Sequence, residues 1–320
     1  MLLLVDIPRR LLWPADWLVL ALLVLLMLNA CVGKFETKPT LTETCQTDWQ
    51  SGIDISELPG STTTNGLHVL IWNIHDRLLG ESNVSKGGHT EEEVVCIGDL
   101  AKQFDLVLFQ EAFVRPAQIA RYTRHAWADH PVFEEGGGGD WWPLRVFCQI
   151  CLTPGLLMMA GEEPESVHTE PYEAFAGWNT KLNKADDFFS KGFQLVKFQN
   201  FWVLNSHMDS GRGQQSIDAR MLQFRQITAA LKRMVPYDAP ILIGMDSNLR
   251  PENEKQDGEI LQEFLESNGL TLIRHNGPDL IAVRNLKIEK AQSLPLKDVL
   301  SDHDALSVIV YPPAVQLSQP

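Results

Sequence analysis

The sequence predicts an α/β fold, one domain of about 250 residues, from three observations. Short apolar runs rich in β-branched residues alternate with segments of helical spacing from residue 67 to residue 310. No internal repeat divides the chain into stacked units. The composition, 44% apolar and 21% charged, is that of an ordinary globular protein, and 320 residues suffice to bury a large core.

Residues 1–30 read as a targeting signal. Arg9 and Arg10 form a basic start, and the apolar run 17–28 follows. That run is short for a membrane span, which needs roughly 20 apolar residues. It ends in Leu28-Asn29-Ala30-Cys31, which resembles the lipobox of bacterial lipoproteins and implies acylation at Cys31, although Asn29 stands where small or apolar residues are usual. The alternative is an uncleaved signal anchor over 11–30, against which Pro14 and Asp16 count. Either reading places the protein outside the cytoplasm, as a membrane-anchored lipoprotein or in the cell envelope. There Cys45, Cys96, Cys148 and Cys151 are free to serve as core residues or to form a structural disulfide. Residues 31–65, rich in Thr and Pro and without a sustained period, read as a polar tether.

The folded domain is expected over 66–314, with a tail at 315–320. Residues 67–74 read as a strand, 91–104 as a helix with apolar positions at Val94, Ile97, Leu100, Ala101 and Phe104, and 105–109 as a short buried strand. Residues 115–125 form a helix with Pro116 in its first turn. Strands are expected at 155–160, 192–198 and 200–206, the last two joined by a turn at Gln199-Asn200. Residues 216–234 give the strongest helical pattern, with Ile217, Met221, Phe224, Ile227 and Leu231 on one face and Ser216 as the expected cap. A strand at 241–245, a helix at 257–267, and strands at 280–284 and 305–310 complete the domain.

The chemistry sits at strand tips, which are rigid and hold side chains at a cleft edge. Asn73 ends the first strand, Gln110-Glu111 the second and Asn205-Ser206-His207 another. Gly244-Met245-Asp246-Ser247-Asn248 ends a fourth, and Ser301-Asp302-His303 precedes the last. Singly, each has a plain structural reading: an Asp-x-Asn caps a turn, a Glu after a strand is a solvated rim group, a His beside an apolar run is a core residue. Together they bring three carboxylates and two imidazoles, with amides beside them. Carboxylates converging on one cleft repel unless a cation lies among them, and an oxygen-rich set suits Mg²⁺, Mn²⁺ or Ca²⁺.

In this order, the motifs resemble the DNase I-like endonuclease/exonuclease/phosphatase superfamily across residues 67–311. Ser-Asp-His-x-Ala-Leu-Ser at 301–307 and Asp-x-Asn at 246–248 are the most specific parts. The resemblance implies a four-layer α/β sandwich, two mostly antiparallel sheets face to face with helices outside, and an active site at one end of the sheets. It implies Glu111 as principal metal ligand with Asn73 beside it, and Mg²⁺, Mn²⁺ or Ca²⁺ as cofactor. His303 is implied as general base, with Asp279 orienting it. Asp246 and Asn248 are implied to orient water and phosphate, His207 to donate to phosphoryl oxygens, and Asp302 to face the metal.

Within that superfamily, Asp186-Asp187-Phe188-Phe189-Ser190-Lys191-Gly192 resembles the Asp…Lys-Gly element of neutral sphingomyelinases, which implies a phosphate contact for Lys191 with Asp186 beside it. A charge pair at a helix end is the structural alternative. Two features depart from that branch. Residues 284–300 carry no aromatic-tipped hairpin, leaving Trp141-Trp142 either to grip lipid or to pack a loop, and His207-Met208-Asp209 leaves the role of Asp209 open. The expected function is metal-dependent hydrolysis of a phosphodiester, a phospholipid or sphingomyelin-like lipid, by a monomer. The alternatives are an extracellular endonuclease or phosphatase of the same fold, or an inactive binding protein. The net charge of −14 and the lack of a Lys/Arg run disfavour duplex DNA.

Overall fold

A computed structural model describes residues 66–76, 89–123, 125–132, 153–176, 190–252, 254–297 and 300–313. In chain order they form β1 (Leu67–Asp76), α1 (Glu91–Ala101), β2 (Leu106–Ala112), α2 (Pro116–Thr123), β3 (Trp127–Asp129), β4 (Leu157–Ala160), β5 (Ser166–Pro171), β6 (Gly192–Lys197), β7 (Trp202–His207), α3 (Gln214–Met234), β8 (Ile241–Asp246), α4 (Lys255–Asn268), β9 (Thr271–Asn276), β10 (Asp279–Arg284), β11 (Lys287–Leu294) and β12 (Ala305–Tyr311).

The strands pair into two six-stranded sheets, in the orders β11-β12-β1-β2-β4-β3 and β5-β6-β7-β8-β10-β9. Each sheet holds one parallel pair, β1 with β2 and β7 with β8. A parallel pair needs a crossover, and α1 and α3 supply the two. Every other pairing is antiparallel. The two sheets thus repeat one topology that no sequence repeat announces.

Alternation along the strands makes the layers. Val69, Ile71, Leu106, Leu108, Val203, Leu242 and Ile281 pack together between the sheets. Their sequence neighbours Leu70, Trp72, Val107 and Phe109 pack on Val94, Ile97, Leu100 and Ile119 of α1 and α2. On the other side, Leu204 and Ile243 pack on Phe224, Ile227, Ile260 and Phe264 of α3 and α4. The result is the expected order helix, sheet, sheet, helix. At Gly244 the sheets approach closely: a Cβ there would stand 2.5 Å from Ile71 Cγ1 and 2.8 Å from Leu108 Cδ1, well inside contact distance.

Helix ends follow local chemistry. Thr90 and Glu93 form a reciprocal capping box at α1. The cap expected at Ser216 is instead Gly213. Gln214 already opens α3, so Ser216 lies buried in the first turn with its N–H 3.0 Å from the Gly213 carbonyl. Cys96, on the buried face of α1, is disulfide-bonded. The expected signal at 1–30, the tether at 31–65, the tail at 315–320, Trp141-Trp142, and Cys31, Cys45, Cys148 and Cys151 lie outside the described residues. Among the described residues, no helix is long and apolar enough to cross a membrane.

Candidate active site

The parallel pairs decide where chemistry collects. Parallel pairing brings the C-terminal ends of β1 and β2 together, and those of β7 and β8, and the hydrogen bonds Asn73–Asp246 and Gln110–Asn205 set both pairs of ends at one edge, where parallel α/β strands present ligand-binding groups. The antiparallel strands β10 and β12 start at that same edge, since Asp279 pairs with Asp246 and β12 opens at Ala305, two residues after His303. The inward-facing rows of the core therefore end in polar groups. Val69 and Ile71 lead to Asn73, Val203 to Asn205 and His207, Leu242 and Gly244 to Asp246, and Ile281 back to Asp279. Asn73, Glu111, His207, Asp246 and Asp279 are all buried.

Glu111 breaks the alternation. It has the parity of Val107 and Phe109, which face the helices. A left-handed backbone, φ 56°, turns its carboxylate into the cleft. Among the described residues four non-glycine positions have positive φ, and three of them, His75, Glu111 and Asn248, are at this edge. Such strain costs about 1–3 kcal/mol per residue and persists where the surroundings enforce it.

The carboxylates are held by amides and imidazoles. Asn73 Nδ2 donates to Glu111 Oε1 at 3.1 Å and to Asp246 Oδ2 at 2.8 Å, so one amide ties the first sheet to the second. Its Oδ1 accepts from the His75 N–H at 3.0 Å, so as placed Asn73 orients Glu111 rather than presenting its oxygen to the cleft. His207 Nε2 lies 3.7 Å from Glu111 Oε1 and 3.5 Å from Asp246 Oδ2. Lys191 Nζ is 3.2 Å from that nitrogen and donates to the Met208 carbonyl at 2.7 Å. Asn248 donates its backbone N–H to Asp246 Oδ1 at 3.0 Å and its side-chain amide to the same Met208 carbonyl at 2.9 Å. Beneath these groups, Gln110 Nε2 donates to Asn205 Oδ1 at 2.7 Å and Asn205 Nδ2 to the Phe109 carbonyl at 3.1 Å, a second tie between the sheets, fully buried.

His303 completes the cleft. Its Nδ1 is 2.7 Å from Asp279 Oδ2, and its Nε2 faces Asp302 Oδ1 at 3.8 Å and Asp246 Oδ2 at 4.0 Å. Burial disfavours the charged imidazole, yet the Asp279 carboxylate, helped by Asp246 and Asp302, outweighs burial and holds the His303 pKa above its ordinary range. The loop that carries it is pinned to β1. Ser301 Oγ donates to the Asn73 carbonyl at 2.6 Å and accepts the His303 N–H at 3.1 Å, while Trp72 Nε1 donates to the His303 carbonyl at 3.2 Å. Asp302 is half-exposed, and its carboxyl, though pushed upward by partial burial, is held below its usual range by the His75 hydrogen bond and the nearby imidazoles.

The donor set fits a divalent cation. Ligand atoms of Glu111, His207 and Asp246 lie within 4.8 Å of one another, and so do those of Asp246, Asp279 and His303. Buried carboxylates this close favour a compensating positive charge.

Solved structures share this architecture along nearly their whole length. Sphingomyelinase C from Streptomyces griseocarneus aligns over 77% of this chain and 99% of its own, at a TM-score of 0.52 and 16% identity. A double-mutant beta toxin from Staphylococcus aureus with bound magnesium ions aligns over 76% and 99%, at 0.54 and 15%. The human Nocturnin catalytic domain with bound sulfate anion aligns over 78% and 95%, at 0.54 and 15%. The fold is that of the DNase I-like α/β sandwiches. No protein-family model matches the sequence, and no curated protein does.

The structure brings Asn73, Glu111, Lys191, His207, Asp246, Asn248, Asp279, Asp302 and His303 to one edge of this fold. Asp186 and Cys31 lie outside the described residues. Asp209 is a loop organiser: its carboxylate accepts the Ala176 N–H at 3.1 Å and the Gly211 N–H at 3.2 Å, and the buried Arg220 donates to its carbonyl at 3.1 Å. Sequence reasoning missed His75, whose Nδ1 lies 3.5 Å from Glu111 Oε2 and 3.1 Å from Asp302 Oδ1. A signal was there: Asn73-Ile74-His75 has the same Asn-x-His spacing as Asn205-Ser206-His207.

Proposed function

We propose that this protein is a metal-dependent phosphodiester hydrolase acting outside the cytoplasm on a phospholipid or sphingomyelin-like substrate. The observation that carries the reading is the His303–Asp279 pair at 2.7 Å, with Asp279 buried and His303 at a cleft lined by Glu111 and Asp246. Asp279 holds the proton-bearing Nδ1 of His303, so Nε2 faces the cleft as the acceptor for a proton from the attacking water. His207 and Lys191, 3.2 Å apart, are the donors to phosphoryl oxygens, held beside Asp246 and Asn248. Glu111 and its neighbours would hold a divalent cation, which when bound would supply positive charge for the phosphoryl oxygens and weaken the field that the carboxylates impose on His303. The reaction is in-line displacement of an alkoxide by water.

Three further points support a lipid over a nucleic acid: the net charge of −14, the signal-like residues 1–30, and the placement of Lys191 at the site. The test is turnover on sphingomyelin vesicles, phosphatidylcholine vesicles, plasmid DNA and a p-nitrophenyl phosphodiester, with Mg²⁺ and with EDTA. Choline-lipid hydrolysis without DNA nicking is the expected result. DNA nicking alone makes the protein a nuclease, and no turnover of any substrate makes it a binding protein.

The location is tested separately. With lipidation at Cys31, Cys31→Ala should abolish incorporation of labelled palmitate and release the protein from the membrane fraction. Equal incorporation in the variant removes Cys31 as the acylation site.

A further inference from the structure

His75 has no part in the chemistry above, yet the chain goes to some length to place it. Asn73 pairs with Gln110 and Asp76 with Ala112, so Ile74 and His75 of β1 stand opposite Glu111 alone. Two residues against one is a β-bulge, a device that re-aims a side chain beside a site. His75 also carries a left-handed backbone, φ 54°, directly across from the left-handed Glu111. The imidazole that results is a quarter exposed, with Nδ1 between two carboxylates, 3.5 Å from Glu111 Oε2 and 3.1 Å from Asp302 Oδ1.

Each separation from His75 Nδ1 is one that two ligands of a single ion can have, and a bound ion would replace the proton through which His75 now hydrogen-bonds Asp302. Two ligand atoms at right angles on an ion with bonds of about 2.1 Å stand about 3.0 Å apart, and at the tetrahedral angle about 3.4 Å. Glu111 is thus flanked by an imidazole on each oxygen, His207 at Oε1 and His75 at Oε2. Mg²⁺ keeps to oxygen ligands and water, whereas imidazole nitrogen favours first-row transition ions. We propose that His75 is a metal ligand through Nδ1, with Glu111 and Asp302, and that it tunes the site toward a transition ion such as Mn²⁺ or Co²⁺ over Mg²⁺. This inference rests on the metal-site reading above.

The test uses Mn²⁺ and Mg²⁺ on the purified protein, with no substrate. Calorimetry gives the two affinities, and pulsed electron paramagnetic resonance of bound Mn²⁺ detects directly coordinated imidazole nitrogen. His75→Asn is the variant of choice, because Asn tolerates the left-handed backbone and offers an oxygen without a charge. It should lower the ratio of Mn²⁺ to Mg²⁺ affinity by about tenfold or more and remove one nitrogen coupling. His75→Asp, equally tolerant of that backbone, should lose the same coupling and serves if the first variant does not fold. Unchanged nitrogen coupling in either folded variant overturns the role of His75. Glu111→Gln separates the two readings. If it abolishes Mn²⁺ binding while the His75 variants retain the full coupling, the metal site stands and His75 is excluded. If it leaves Mn²⁺ binding untouched, the metal-site reading falls and the inference with it.

Discussion

His303→Ala is expected to lower kcat by about 10²–10⁴-fold, the usual contribution of a positioned general base, with the thermal midpoint little changed. The side chain is 15% exposed at the cleft and its polar contacts are to other site residues, so its removal opens no core cavity. A packed structural histidine would behave in the opposite way, with a lower midpoint and intact specific activity of the folded fraction. Measuring both quantities on one preparation decides between them, and near-wild-type turnover in a folded His303→Ala protein sinks the mechanism. Asp279→Asn should lose part of the same factor and carries a second signature. The Asp279 carboxylate is the strongest influence raising the His303 pKa. Removing it lowers that pKa, so the neutral, proton-accepting form appears at lower pH. The acid limb of kcat/KM against pH should therefore shift to lower pH while the plateau falls. A plateau that falls with the limb unmoved would mean that Asp279 acts on something other than His303.

Loss of the metal should be the other large effect. Chelation with EDTA is expected to abolish phosphodiester hydrolysis, and Mg²⁺ or Mn²⁺ to restore it. Glu111 is the shared member: Asn73 donates to it, and His207 and His75 approach its two oxygens. Glu111→Gln keeps the shape and hydrogen-bonding length but removes the charge. A metal stabilises phosphoryl charge by several kcal/mol, and about 4 kcal/mol is about 10³-fold in rate. A loss of that size, with a steep rise in the metal concentration needed for half activity, is the expected outcome. Activity surviving exhaustive chelation removes the metal from the mechanism, and an unaltered metal dependence in Glu111→Gln moves the ligand elsewhere.

The core of this architecture was legible in the sequence because buried strands are apolar runs. β1, β2, β4, β6, β7, β8, β10 and β12 all carry one. The strands that escaped notice are β3, β5, β9 and β11, the four outer edges of the two sheets. An edge strand keeps one side in water and carries polar residues that blunt pairing with other chains. Thr271–Asn276 and Lys287–Leu294 are accordingly mixed in character and mostly exposed or half-exposed. The site was legible for the same reason, since each polar residue that ended an apolar run stood out. His75 shares the face of Asn73 but lies beyond the residue read as the tip of β1, opposite Glu111 at the bulge, so nothing local marked it as a site residue. Ser301 and Trp72 stood within motifs, but their work of fastening the His303 loop to β1 is a long-range contact with no local pattern.

The division of the cleft between the two sheets makes it a gauge of their alignment. Glu111 and Asn73 ride on one sheet, His207, Asp246 and Asp279 on the other, with Gln110–Asn205 and Asn73–Asp246 fixing the register between them. A slip of one residue along a strand is about 3.3 Å, enough to part every pair that spans the gap. Neither sheet would lose a ladder hydrogen bond in such a slip. Mild denaturant or acid that loosens side-chain packing should therefore abolish the proposed hydrolysis while the far-ultraviolet circular dichroism still reads as native.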